Sequence, residues 1–170
     1  FMNRPISYYN SLIKNRILEH DNSQENLVMS LDKLYLEIKH FQESQKNLIK
    51  KVFSSNNKTP LGLYIFGNVG RGKSMLMDMF CNTNDIEKIK RFHFHAFMQD
   101  THLKIREQRN KSKAGDPISY VAKSIFSEIK VLCFDEFQVN DAADAMILKR
   151  LFQKLFEMGL IIITTSNQHP

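Results

Sequence analysis

This sequence contains very little cysteine. Only Cys81 and Cys133 occur among 170 residues, which argues against a secreted, disulfide-rich scaffold and favours a reducing compartment. Cys133 lies inside an apolar run, and the two cysteines do not have the spacing of paired metal ligands. We therefore expect a cytoplasmic protein, with a mitochondrial one as the alternative.

Segments that would direct the chain into or across a membrane are also lacking. No run of about 18 apolar residues is present, so the sequence predicts no membrane-spanning helix. The opening "FMNRPISYYN" has no apolar core of a signal peptide, and it is too short and mixed for a transit peptide. Peripheral contact with a membrane surface stays open.

Acidic residues are the minority charge. The sequence has 24 Lys and Arg against 18 Asp and Glu, with a pI near 9.3, which suits contact with phosphates, acidic proteins or anionic membranes. The most basic stretch carries Lys104, Arg106, Arg109, Lys111 and Lys113, without interleaved aromatic residues that would stack on bases. We interpret it as a solvated surface and do not expect nucleic acid as a partner.

Length and composition predict one globular unit with two parts. With 170 residues, 42% of them hydrophobic, the chain can bury one substantial core. Apolar residues recur at helical spacing through residues 25–54, and the polar turn "SSNNKTP" follows. We expect an N-terminal helical region over residues 1–57 and a second part over residues 58–170.

The second part alternates apolar strands with helices. Strands are expected at residues 61–67, 91–98, 130–137 and 160–167, and helices at 73–80, 116–129 and 141–158. Such alternation predicts a mostly parallel α/β sheet with right-handed crossovers. Asp141 is expected to cap the last helix. The residues expected on or near the core side of that helix are Met146, Leu148, Leu151, Leu155 and Phe156.

The glycine-rich stretch "GNVGRGKS" joins the first expected strand to the helix after it. It matches the G-x-x-x-x-G-K-S pattern of a phosphate-binding loop. Glycines suit such a loop because its backbone N–H groups point inward, where a Cβ would interfere. The candidate residues are Gly67, Asn68, Val69, Gly70, Arg71, Gly72, Lys73 and Ser74. In this pattern Lys73 reaches the β and γ phosphates of a nucleotide, and the Ser74 hydroxyl ligates Mg²⁺.

Two adjacent acids stand at the tip of an expected strand. Asp135 and Glu136 follow the apolar residues 131–134, and acids at such a position either serve a metal or simply lie in solvent. We expect Asp135 to hold Mg²⁺ through water. Glu136, on the opposite side of the strand, is expected to act as the base for an attacking water.

Asn167 and a pair of histidines are weaker candidates. Asn167 ends the last expected strand, where an amide either orients a lytic water or serves only as a turn residue. His93 and His95 share one face of the expected strand 91–98, and apart from Asp100 and His102 no further metal ligand is apparent. We keep Asn167 as a catalytic candidate and interpret the histidines as packing or hydrogen-bonding residues.

Taken together, these motifs resemble the ZapE/AFG-like family of P-loop ATPases, relatives of the AAA+ group. The resemblance rests on "LYIFGNVGRGKSMLMDMF", "RFHFHAFMQD", "DPISYVA", "LCFDEFQVNDAADAMILKRLF" and "TTSNQHP", with weaker matches at "PISYYNSLI" and "DNSQ". It implies a sheet of strand order 5-1-4-3-2, ATP and Mg²⁺ as ligands, and Asn167 as the residue called sensor 1. It also implies a protein-remodelling machine, associated with the cell-division ring protein FtsZ in bacteria or with protein quality control in mitochondria.

Members of that family continue beyond the sensor strand, into a fifth strand, an arginine finger and a C-terminal helical part. The sequence stops at Pro170, so we expect a truncated core that binds ATP, hydrolyses it slowly and has its phosphate-loop strand at a sheet edge. A homo-oligomer is a further implication. The alternatives are a nonhydrolysing interaction module or split-gene remnant and, less in keeping with the charge pattern, a helicase-loader-like protein that binds single-stranded nucleic acid.

Overall fold

A computed structural model gives the fold and describes residues 4–46, 58–67, 72–83, 85–111 and 115–167. Six helices and four strands lie within these ranges. The helices are α1 Pro5–Lys14, α2 Asn22–Lys46, α3 Lys73–Cys81, α4 Phe94–Lys111, α5 Pro117–Glu128 and α6 Ala142–Glu157. The strands are β1 Leu63–Phe66, β2 Ile89–His93, β3 Val131–Asp135 and β4 Ile161–Ser166.

Two helices precede the sheet, and each has a recognisable start. α1 begins with Pro5, at a position where the missing N–H costs no hydrogen bond. α2 follows Asp21, whose carboxylate accepts hydrogen bonds from the N–H groups of Ser23 at 2.7 Å and Gln24 at 3.1 Å. The helix expected at 25–54 therefore begins earlier, at residue 22, and residues 47–57 lie outside the described ranges. The sequence analysis did not predict α1, although its proline was a start signal.

All four strands run parallel in one sheet of order β1-β4-β3-β2. This is the order 1-4-3-2 that the resemblance implied, so the predicted α/β fold class is confirmed. β3 and β4 are buried along their whole length, as parallel strands covered on both faces must be. β1 pairs with β4 and lies at one edge of the described sheet.

Helices cover both faces of the sheet, and alternate residues of β3 point to the two layers. Val131 and Cys133 pack in one core cluster with buried residues of α1, α2 and α3. Leu132 and Phe134 pack in the other with buried residues of α4, α5 and α6. The N-terminal helices thus share a core with the sheet. The division of the chain at residue 57 stays a prediction.

The expected strand over residues 91–98 is wrong in its second half. β2 ends at His93, and Phe94 begins α4. Phe94, Phe97 and Met98 recur at helical spacing and are all buried against the α4, α5 and α6 layer, so the segment continues as a helix. His93 and His95 consequently lie in different elements and do not share a strand face.

The predicted cap of helix α6 and three of its predicted core residues are confirmed. Its cap is Asp141, which accepts a hydrogen bond from a backbone N–H two residues on at 2.6 Å. Leu148, Leu151 and Leu155 are buried as predicted. Met146 and Phe156 are 70% and 53% exposed, so the prediction for them is wrong. Met146 lies off the i, i+3, i+7 row that the three leucines form, whereas Phe156 lies at the edge of that face, against the Phe152 ring.

The sequence analysis also made predictions about the two cysteines and about membrane-spanning helices. Cys81 and Cys133 are both free thiols, and they contact each other between α3 and β3. The hydrogen bond to Cys81, together with burial, raises the pKa of the Cys133 thiol. Within the described ranges, no helix combines the length and apolar character needed to cross a membrane.

Gly62 lies directly before β1, where the chain passes very close to β4. A Cβ built on Gly62 would stand 1.8 Å from the carbonyl oxygen of Ile162, far inside van der Waals contact. Gly62→Ala must therefore push β1 away from β4. We predict that this substitution lowers the free energy of unfolding by about 1–3 kcal/mol, as measured by urea unfolding.

The matched control for this prediction is Leu61→Ala. Leu61 adjoins Gly62 and is 88% exposed, so its truncation is expected to change the free energy of unfolding by less than about 0.5 kcal/mol. A Gly62→Ala variant as stable as the parent would contradict the close approach of β1 and β4.

Candidate functional site

The carboxyl ends of the parallel strands place the candidate residues at one edge of the sheet. Gly67 follows β1, Asp135 ends β3, Glu136 follows it, and Asn167 follows β4. α3 begins at the same edge. In open α/β sheets this is the edge at which ligands bind.

The start of α3 has the backbone features of an anion site. Gly67 and Gly72 have φ values of 155° and 73°, which residues with a Cβ rarely adopt. Among the described residues, no side chain caps the helix at Gly72, so an anion can bind at the positive end of the helix dipole. Lys73 Nζ donates a hydrogen bond to the Gly67 carbonyl oxygen at 2.7 Å. The predicted loop residues Asn68, Val69, Gly70 and Arg71 lie outside the described ranges.

A cavity of about 300 Å³ brings five predicted site residues together, Gly72 of the loop among them. Lys73, Ser74, Glu136 and Asn167 line it, with Gly72, Thr165 and Ser166 completing the wall. Asp135 does not line this cavity and is only 7% exposed. The two adjacent acids therefore have different surroundings, one exposed at the cavity and one buried beside it.

Glu136 lies in a strained turn just outside β3. Its φ of 55° is left-handed, which costs a residue with a Cβ on the order of 1–2 kcal/mol. Hydrogen bonds to β4 hold this turn. The Glu136 N–H donates to Thr165 Oγ1 at 3.3 Å, and the Phe137 N–H donates to the Thr165 carbonyl at 2.8 Å. The direction of Glu136 is therefore set by the turn rather than by strand alternation.

An arginine that the sequence analysis did not single out holds Asp135. Arg91 of β2 donates from Nε to Asp135 Oδ2 at 2.6 Å and from Nη2 to Oδ1 at 3.0 Å. Its Nη1 donates to Asp78 of α3. The hydrogen bonds to Asp135 are the main reason that the pKa of Arg91 lies above its ordinary value. Only the strand register reveals this pairing, because the two residues are far apart in the sequence.

A larger cavity of about 520 Å³ adjoins the loop and extends to the N-terminal helices. On the side of the loop, the cavity is lined by Gly67, Lys73 and Asn167. On the side of the N-terminal helices, it is lined by Asp21, Ser23, Gln24 and Leu27. The sequence analysis missed Asp21 and these first residues of α2, because the only signal for them was the weak "DNSQ" match. The Asp21 cap fixes where α2 starts and so places its first turn beside the loop.

Gln24 is a polar residue of this cavity with an unfilled acceptor. Within the described residues its Oε1 is buried and accepts no hydrogen bond. A Cβ built on Gly72 would stand 3.3 Å from its Nε2, so the amide lies against the loop. Because a buried acceptor without a donor costs free energy, a ligand that donates to Gln24 would stabilise the site.

The residues present fit a nucleotide with Mg²⁺. The Lys73 ammonium and the start of α3 suit phosphate groups. The Ser74 hydroxyl and the carboxylates of Asp135 and Glu136 are oxygen ligands of the kind that Mg²⁺ prefers. The orphaned Gln24 acceptor, in a cavity with apolar walls, suits a group that is planar and carries hydrogen-bond donors.

The histidine and the basic residues that the sequence analysis considered as further candidates contact nearby acids. His102 contacts Asp144 at 2.6 Å. In the described part of the chain, no group of three or more His, Cys, Asp or Glu residues could hold a metal ion. Lys104 and Lys111 of the basic stretch each pair with an acid one turn back on α4. These pairs are in keeping with a solvated helix surface.

The chain is similar to a family of ATPases, to individual proteins and to a solved structure. A family model described as AFG1-like ATPase matches residues 3–170. Lactation elevated protein 1 homolog B of Danio rerio is 47% identical over 125 residues, covering 69% of this chain and 25% of that protein. Cell division protein ZapE of Escherichia coli K12 is 42% identical over 113 residues, covering 66% of this chain and 29% of that protein. AMPPCP-bound DnaA from Aquifex aeolicus is similar with a TM-score of 0.49 and 20% identity, covering 72% of this chain and 38% of that one.

The extent of the match differs between the family model and the individual relatives. The chain spans less than half of the length of the curated relatives that it matches. The family model, in contrast, matches all but the first two residues, and so includes the glycine-rich loop, both acids and Asn167. The chain belongs to the AFG1-like ATPase family.

Proposed function

We propose that this chain is the Mg²⁺-dependent ATP-binding core of an ATPase that remodels a protein partner. The observation that carries the proposal is the convergence of Lys73, Ser74, Glu136 and Asn167 on one cavity at the carboxyl edge of a parallel sheet. A phosphate loop, an acid and an amide at this edge are the parts that phosphoryl transfer from a nucleotide requires.

The phosphates are bound by the loop and the start of α3. Lys73 exchanges its hydrogen bond to the Gly67 carbonyl for the β and γ phosphates. Ser74 and Asp135 are the residues that would hold Mg²⁺, with the Ser74 hydroxyl as a ligand and the Asp135 carboxylate acting through a metal-bound water. When bound, Mg²⁺ neutralises charge that develops on the phosphate oxygens.

Glu136 and Asn167 act on the attacking water. Both line the cavity that contains Lys73 and Ser74, so a water between them lies next to the γ phosphate position. Glu136 accepts the proton of this water, and the Asn167 amide orients it. The strained backbone of Glu136 supports this role, because such strain is concentrated where a side chain must be aimed.

Gln24 recognises the adenine base of the nucleotide by hydrogen bonding. A primary amide pairs with adenine through two hydrogen bonds, accepting from the N6 amino group and donating to a ring nitrogen. The Oε1 of Gln24, which is buried and accepts no hydrogen bond from the described residues, provides the acceptor. Guanine presents acceptors at both corresponding positions of its major-groove edge, so one amide cannot pair with it twice. The site is therefore selective for ATP over GTP.

Hydrolysis by the 170-residue chain alone is proposed to be slow. The support is that β1, which leads into the loop, is an edge strand of the described sheet and pairs there with β4 alone. An arginine finger from a second subunit accelerates related P-loop enzymes by on the order of 10³ to 10⁵, which makes a homo-oligomer part of the proposal. ATP turnover by the purified monomer at the ordinary speed of this family would contradict it.

The partner and the compartment are proposed from likeness and composition. One relative is named a cell division protein, which supports FtsZ or another cell-division protein as the client. The free thiols of Cys81 and Cys133 support the cytoplasm, with the mitochondrion as the alternative. A second candidate, a nonhydrolysing interaction module, is favoured by the apolar groove beside β1 that Phe137, Phe152 and Phe156 line.

The nucleotide site is tested by Lys73→Ala and Glu136→Gln. Lys73→Ala removes the cation from the loop and is expected to weaken binding of a fluorescent ATP analogue by roughly a hundredfold. Glu136→Gln removes the base but not the phosphate contacts, so it is expected to keep the affinity and retain bound ATP unhydrolysed. Lys123→Ala, an exposed lysine on α5, is the control that removes the same charge elsewhere. If both site variants bound and turned over ATP like the parent, the proposed site would be wrong.

Base recognition is tested by Gln24→Leu. The substitution keeps the approximate size of the side chain and removes both hydrogen-bonding groups, so the preference for ATP over GTP is expected to fall by roughly tenfold. The measurement is competition of each nucleotide against a fluorescent analogue. Gln45→Leu, an exposed position of the same helix, controls for effects on α2. An unchanged preference in Gln24→Leu would remove Gln24 from the base site.

A further inference from the structure

Arg91 lies between the buried acid of the site and the helix that follows the loop. In the β2–β3 ladder it stands opposite Cys133, two residues before Asp135, so all three side chains lie on the same face of the sheet. α3 packs on that face. A long side chain at this position therefore reaches Asp135 of β3 and Asp78 of α3 at once.

The guanidinium of Arg91 makes an inner and an outer contact. Nε and Nη2 bind both oxygens of Asp135, at 2.6 and 3.0 Å, and Nη1 binds Asp78. The exposed fraction of the side chain is 10% for Asp135, 26% for Arg91 and 58% for Asp78. The inner pair is thus shielded from water, whereas the outer carboxylate is largely solvated.

We propose that Arg91 is the internal counter-ion of Asp135 and sets how tightly the site binds Mg²⁺. This inference rests on the proposed role of Asp135 as a carboxylate that holds the metal. A carboxylate has about four lone-pair positions, and a bidentate guanidinium uses two of them. The others remain for a metal-bound water, but the positive charge of Arg91 opposes a second cation nearby. Arginine does not deprotonate, so this opposition is permanent.

The counter-ion also explains why a buried carboxylate is tolerated here. A buried charge without a partner destabilises a protein strongly, and Arg91 supplies the partner while Mg²⁺ is absent. The pair is close to neutral, so Asp135 by itself attracts Mg²⁺ weakly. The phosphates of a nucleotide add the negative charge that is needed. Arg91 therefore makes the site selective for Mg²⁺ together with a nucleotide over Mg²⁺ alone.

Asp78 and Arg91 have opposite effects in this arrangement. Removing the charge of Arg91 exposes Mg²⁺ to the full charge of Asp135 and strengthens metal binding. Removing the charge of Asp78 leaves Arg91 less compensated and weakens metal binding. A residue that only stabilised the fold would not produce shifts of opposite sign.

The experiment measures the dissociation constant of a fluorescent, nonhydrolysable ATP analogue, once with excess Mg²⁺ and once with EDTA. The ratio of the EDTA value to the Mg²⁺ value reports how strongly the metal supports binding. Arg91→Gln is expected to raise this ratio by roughly tenfold. Asp78→Asn is expected to lower it by about twofold to fivefold, the smaller change reflecting the exposure of Asp78.

Two further variants separate charge from shape. Arg91→Lys keeps the charge without the bidentate geometry and is expected to keep the ratio within about twofold of the parent. Lys90→Gln removes a neighbouring charge on β2 that pairs with Glu128 at 3.3 Å, away from the site, and is expected to leave the ratio unchanged. Circular dichroism of each variant checks that it is folded.

The outcomes distinguish this inference from the proposed function. If the parent bound the analogue with no dependence on Mg²⁺, the metal site itself would fail and the role of Arg91 with it. If the parent showed the dependence but Arg91→Gln left the ratio equal or lower, only the counter-ion role would be overturned. If Arg91→Gln does not fold, the Asp78→Asn variant provides the test. A lower ratio of the EDTA to the Mg²⁺ dissociation constant supports the counter-ion role of Arg91, and an unchanged or higher ratio overturns it.

Discussion

The parallel pairing of β4 with both β1 and β3 is the constraint on which the candidate site depends. Its register sets Phe66 opposite Ser166 and Phe134 opposite Thr164, so the three strands end at the same height. The same ladder buries β3 and β4 completely between two helical layers. Beyond the strand ends, β4 also holds the turn of Glu136 through hydrogen bonds to Thr165 and Ser166. Core packing and placement of the site are thus one structural requirement.

The surroundings of the two adjacent acids separate their chemistry. Asp135 is buried and both of its carboxylate oxygens accept hydrogen bonds from the Arg91 guanidinium, so its position is fixed before any ligand arrives. Glu136 is exposed, lies in a left-handed turn and faces the cavity that contains Lys73. A fixed, compensated carboxylate suits a role beside a metal, and an exposed carboxylate suits proton transfer. These different environments support the separate roles proposed for the two acids, because pairs of acids in active sites generally owe their roles to their surroundings.

Much of the fold could be predicted, and the part of the candidate site that is local in sequence could be recognised from its motif. Apolar runs located β1, β3 and β4, and the glycine pattern located the start of α3, because each depends on a short stretch of chain. The segment 91–98 could not be divided correctly, since its aromatic residues satisfy strand and helix spacing alike until the packing of Phe94 and Phe97 decides. Arg91 and Gln24 were missed for another reason. The roles proposed for them depend on residues distant in sequence, through the β2–β3 register and the docking of α2 beside the loop.

Hydrogen exchange followed by mass spectrometry tests the central claim most directly, because it reports both binding and its location. The chain would be compared with and without a nonhydrolysable ATP analogue and Mg²⁺. The account predicts slower exchange in the peptides that contain residues 67–76, the turn at 136–137 and the start of α2 at 21–27. A folded chain with no protection in the 67–76 peptide, or with protection only elsewhere, would contradict it.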